Sequence, residues 1–160
     1  MHQGIDSFPF FLQVLRAIDS MPVTEIKANA NFVGLEDDCQ FCETKSDSQG
    51  IVIIECGLSD NCFGSFKGSN RVEFEIFSEG YHPESVSYSR SELSEYYAAI
   101  DSTPAGIDSI HNINSIEIMN IDSALQLLEA DSAFLYSAFK YSLSNRKTIL
   151  IVPQIYLNGL

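Results

Sequence analysis

Between Thr24 and Phe32 the chain changes polarity at every residue: Thr24, Ile26, Ala28, Ala30 and Phe32 alternate with Glu25, Lys27, Asn29 and Asn31. A period of two puts each set on one face, so the spacing predicts a half-buried strand. "RVEFEIF" at 71–77 alternates in the same way, with Val72, Phe74 and Ile76 inward and Arg71, Glu73 and Glu75 outward. "SEGYHPE" reads as its turn and "SVSYS" as the returning strand. "GIVIIEC" at 50–56 is continuously apolar and β-branched, as in a strand covered on both faces. Ile116 and Ile118 suggest a short strand. "KTILIVPQIYL" closes the chain as another, in which Pro153 demands an edge position or a bulge.

Other segments carry the helical period. Ser7 can cap a helix that tolerates Pro9 in its opening turn and aligns Phe8, Phe11, Leu12, Leu15 and Ile18. Ser89 and Glu92 have the capping-box spacing, and the "SELSEYYAAI" that follows aligns Leu93, Tyr96, Tyr97 and Ile100. "IDSALQLLEADSAFLYSAFKYSLSN" predicts helix over 121–145, either in one piece or in two broken near Asp131, with Leu125, Leu128, Leu135, Ala138 and Phe139 buried. Seven irregularly spaced Asp-Ser pairs read as caps and turns. Because helices and strands come in blocks, the expected fold is α+β. It comprises a largely antiparallel sheet with an N-terminal helix, a middle helix and a C-terminal helical segment, in a single globular domain over residues 1–160.

Composition changes this picture through its sign. The chain carries 22 acidic and 9 basic side chains, a formal charge of −13. The acidic residues are spread along the whole length, so the field belongs to a folded body and not to a tail. Such a surface repels nucleic-acid phosphate and anionic lipid and attracts basic protein. The opening residues lack a basic n-region and a small-residue cleavage site, and no apolar run approaches the roughly 20 residues of a membrane helix. The expectation is a cytoplasmic protein whose four cysteines stay reduced unless metal claims them.

"LEDDCQFCETK" at 35–45 places Cys39 and Cys42 in a C-x-x-C spacing. One half of a zinc site is conceivable, but Cys56 and Cys62 are too far apart for a standard second knuckle. A redox pair needs a lowered thiol pKa, whereas Glu36, Asp37, Asp38 and Glu43 would raise it. The balance favours ordinary thiols. His2, His82 and His111 are scattered, no G-x-S-x-G elbow is present, and "GSFKGSN" lacks the P-loop pattern. Glu73 and Glu75 lie about 7 Å apart on one strand face, which suits a solvated or partner-facing surface better than an acid–base pair.

At 71–100 an acidic hairpin runs into the strand end "VSY" and then into a capped, tyrosine-rich segment. This stretch resembles the bacterial immunity proteins of contact-dependent growth inhibition, the CdiI class that neutralises ribonuclease toxins. The resemblance implies a small non-enzymatic protein without a cofactor. Its partner would be a cognate basic toxin domain, bound over its active site, with no direct nucleic-acid or membrane partner. The candidate partner-binding residues on that reading are Glu36, Asp37, Asp38, Glu73, Glu75, Glu79 and Glu84, with Tyr81 as an anchor. Two alternatives stand beside it. One is a nucleic-acid mimic that inhibits a DNA-binding enzyme. The other is a small metal- or thiol-dependent enzyme using the Cys39/Cys42 region or Cys62.

Overall fold

A computed structural model describes residues 5–33, 40–46, 50–59, 71–100, 108–112, 117–120 and 132–160. The chain divides into two compact units, one formed by residues 1–93 and 152–160 and the other by residues 94–151.

In the first unit, β1 (Ile5–Arg16) runs antiparallel to β4 (Ile51–Ser59), from Ile5 opposite Ser59 to Gln13 opposite Ile51. β3 (Gln40–Ser46) pairs antiparallel with β4, and β11 (Ile155–Leu157) pairs in parallel with Val14–Arg16 of β1. A second, antiparallel sheet has the order β2 (Lys27–Phe32), β5 (Arg71–Phe77), β6 (Glu84–Ser89). The two sheets meet through aromatic rings. Phe10 of β1 packs edge-on against Phe74 at 5.1 Å and lies 6.0 Å from Phe32, while Phe74 lies 6.4 Å from Tyr88. Along β2, Thr44 Oγ1 of β3 donates to the Ala28 carbonyl at 2.7 Å and Ser46 Oγ to the Ile26 carbonyl at 3.4 Å. Hydroxyls of β3 therefore serve carbonyl groups of β2 and of the residue just before it. Gly50, which opens β4, has φ +74°, and a Cβ there would stand 2.5 Å from the Val14 carbonyl oxygen. Only glycine fits that approach.

In the second unit the strand order is β10 (Ile149–Ile151), β7 (Ser94–Ile100), β8 (Asp108–Asn112), β9 (Glu117–Asn120), with each neighbouring pair antiparallel. The α-helix among the described residues, α1 (Ser132–Asn145), buries Phe134, Leu135, Ala138 and Phe139 and sets Phe139 edge-on to Tyr96 at 5.9 Å. Ser142 Oγ donates to the Lys147 carbonyl at 2.6 Å, holding the turn that leads into β10.

The expected α+β class with three helical elements is overturned. The described chain is predominantly β, with one α-helix. The N-terminal helix is replaced by β1, in which every residue from Phe10 to Leu15 is buried. An apolar run of that length matches a helical stripe and a doubly covered strand equally well, and the aromatic and β-branched content decides for the strand. The middle helix is replaced by β7. The C-terminal helix holds over 132–145, while its expected start at 121–131, with Leu125 and Leu128, lies outside the described residues, as does Ile116. The strands expected over 24–32, 71–77 and 85–89 form as 27–32, 71–77 and 84–89, residues 24–26 staying out of the first where Glu25 takes φ +54°, and Pro153 falls between β10 and β11.

The Glu92 half of the capping box forms at the predicted place. Ser89 donates to Glu92 Oε1 through its backbone N–H at 2.9 Å and its hydroxyl at 3.0 Å. Only one 3₁₀ turn, Arg90–Glu92, follows before β7 begins. These bonds, first the backbone one and then the hydroxyl, hold the Glu92 carboxyl below its ordinary value of 4.5, with a further contribution from Arg71. A lowered carboxyl pKa stabilises the fold above the ordinary value, and that contribution disappears as pH falls through the folded one. Thermal unfolding from pH 7 to pH 3 should show Glu92→Gln below wild type at neutral pH. The two curves should converge below pH 4.5; parallel curves would refute the linkage.

Candidate protein-binding surface

With Val72, Phe74 and Ile76 turned into the core, the odd residues of β5 form the outer face of the second sheet. Register builds polar rows across it. Glu73 stands opposite Asn31 on one side and Ser87 on the other, and Glu75 stands opposite Asn29 and Ser85. Neighbouring strands lie about 4.8 Å apart, so the two carboxylates are flanked by short uncharged side chains and rise from a low polar surface. At one end of the row Arg71 Nε donates to Ser87 Oγ at 3.1 Å, Nη2 donates to the Ser87 carbonyl at 3.3 Å, and Nη1 lies 3.9 Å from Glu92 Oε1. At the other end Phe77, opposite Lys27, is 39% exposed.

The row continues into the β5–β6 turn. Gly80 takes φ +86°, a conformation that glycine adopts freely. Ser78 Oγ donates to the Thr24 carbonyl at 3.1 Å. His82 N–H donates to the Asn158 carbonyl at 2.9 Å, and Leu160 N–H donates to the Gly80 carbonyl at 3.0 Å. The turn is thereby tied to two other parts of its unit. It shapes a shallow pocket of about 400 Å³ lined by Glu25, Lys27, Phe77, Glu79, Tyr81 and Pro83. Tyr81 also borders a larger cleft of about 730 Å³.

Of the residues singled out from sequence, Glu73, Glu75, Glu79 and Tyr81 thus follow one continuous path along β5 and its turn. Glu84 does not join them. It stands opposite Ile76, on the inward parity of β6 with Val86 and Tyr88. Glu36, Asp37 and Asp38 lie outside the described residues, as do Cys39, Cys62 and the "GSFKGSN" segment. Glu25, Lys27 and Phe77 are the residues that sequence reasoning missed. Phe77 was within reach, since it shares the outward parity of Glu73 and Glu75; Glu25 joins the pocket only through the fold.

The expectation of ordinary thiols is corrected at two positions. Cys42 of β3 stands directly opposite Cys56 of β4, their Cα atoms 4.1 Å apart, and the two form a disulfide. Reading 35–45 as a loop hid this, because residues 40–46 are a strand whose register aligns the sulfurs. While the bond is closed, Cys42 offers no free thiolate to a metal or a substrate. Among the described residues, no group of three or more His, Cys, Asp or Glu is placed to hold a metal ion, and no helix is long and apolar enough to cross a membrane.

No protein-family model matches the chain, and comparisons with curated proteins and with solved structures gave no significant match.

Proposed function

We propose that the chain is a binding protein that neutralises a basic partner, by occlusion and without turnover of its own. The supporting observation is the path from Glu73 through Glu75 and Phe77 to Glu79 and Tyr81, which sets carboxylates and aromatic rings on one outer surface. Opposed fields accelerate encounter, and desolvated aromatic contacts slow dissociation. A nuclease presents Lys, Arg and His to a phosphate chain, and carboxylates on a low polar sheet can take the places of those phosphates. The resemblance of residues 71–100 to CdiI-class immunity proteins makes a ribonuclease toxin domain the proposed partner class. It also brings a cytoplasmic location, a reducing compartment in which the Cys42–Cys56 bond would be the exception. Lys27 and Arg71, set among the carboxylates, favour a protein partner over the uniform charge expected of a nucleic-acid mimic.

The test is inhibition at stoichiometry. A basic nuclease captured by the chain at low salt should lose its RNA cleavage when mixed one to one with it. Undiminished cleavage in the complex would refute occlusion.

A further inference from the structure

The larger cleft is built from three segments of the first unit: residues 16–18 at the end of β1, the Gly80–Tyr81 turn, and residues 157–160. Ile18 is 85% exposed and Leu160 83% exposed, yet both line this one cleft together with Leu157 and Tyr81. Single exposed aliphatic residues are ordinary on a protein surface; two sharing a concavity with an aromatic ring are not. The walls are held by backbone bonds. Ala17 N–H donates to the Leu157 carbonyl at 2.9 Å, Ser20 N–H to the Arg16 carbonyl at 2.8 Å and Leu160 N–H to the Gly80 carbonyl at 3.0 Å. Asp19 accepts from Met21 N–H at 3.1 Å and lies 3.4 Å from Arg16 Nε, which closes the turn and offsets the cation at the cleft edge. A concavity formed in advance costs little ordering on binding.

Charge decides what occupies it. A second copy of this chain would bring another −13 and repel. Across Tyr81 the smaller pocket offers Glu25 and Glu79. We infer that the cleft takes one aliphatic or aromatic side chain from a basic polypeptide, whose adjacent Lys or Arg engages Glu25 and Glu79. The inference rests on the basic-partner reading and adds to it an apolar anchor, displaced from the Glu73–Glu75 row. Electrostatic steering then brings the partner in, and the anchor selects partners that carry an apolar residue beside the cation.

Two peptides, Lys-Lys-Leu-Lys-Lys and Lys-Lys-Ala-Lys-Lys, test this by titration into the full chain followed by amide chemical shifts. At 50 mM salt the leucine peptide should bind at least fivefold more tightly, shifting Ile18, Tyr81 and Gly159. In Ile18→Ser/Leu160→Ser, which alters only exposed side chains, the ratio should fall to about one while the alanine peptide binds as before. Equal affinities in wild type, or a preference that survives the double substitution, would overturn the anchor. If both peptides still shift Glu75 and Glu79, the basic-partner reading stands without it. If neither peptide binds, both fall together.

Discussion

Replacing Phe74 with alanine should destabilise the chain by about 3–5 kcal/mol, as for other buried phenylalanines. Phe74 is fully buried in the central strand of the second sheet, with Phe10 at 5.1 Å on one side and Tyr88 at 6.4 Å on the other. Truncation removes apolar burial and two ring contacts, and the cavity opens between sheets that cannot close without moving β1. For a chain of this size the loss corresponds to a fall in Tm of about 6–20 °C. Phe77→Ala, three positions along the same strand but on the outer face, should cost no more than about 1 kcal/mol. Denaturant titration of both variants measures the contrast. Equal costs would mean that the two faces of β5 have been misassigned, and the binding surface with them.

Removing the Cys42–Cys56 bond should cost about 2–3 kcal/mol, because the cross-link shortens the unfolded chain over a separation of 14 residues. The consequence extends beyond β3, whose Thr44 and Ser46 hydroxyls serve the Ala28 carbonyl of β2 and the Ile26 carbonyl just before it. A loosened β3 exposes that side of the sheet whose outer face carries Glu73 and Glu75. Cys42→Ser/Cys56→Ser and reductant-treated wild type should unfold at the same denaturant concentration, and added reductant should leave the double variant unchanged. Wild type that is indifferent to reductant would show that the bond contributes nothing to stability.

Legibility followed the physics of each segment. Alternation over 24–32 and 71–77 could only be satisfied by strands with one face covered, so most of β2, all of β5 and the outward Glu73 and Glu75 were readable. The apolar run at 8–15 gave no such constraint, since a strand buried on both faces has no period, and Ser7 and Pro9 supplied helix-start signals of their own. At 89–92 the local rule held while the element failed: the Ser89–Glu92 bonds form, but Tyr96 and its neighbours continue as β7. Cys42 and Cys56 lie equidistant from Gln49, a hairpin signature that became meaningful only once 40–46 was a strand. The pocket around Tyr81 needs Glu25 and Lys27 beside residues fifty or more positions away, which no local pattern encodes.

The most direct measurement is the association rate with a protein that the wild-type chain captures from lysate, compared with Glu73→Lys/Glu75→Lys/Glu79→Lys at 50 mM salt. All three side chains lie on the outer face or its turn, so the fold should tolerate the change. A carboxylate-presenting face predicts that the captured protein is basic, that its on-rate falls at least tenfold in the variant, and that the gap narrows as salt rises. An on-rate unaffected by reversing these three charges would contradict it.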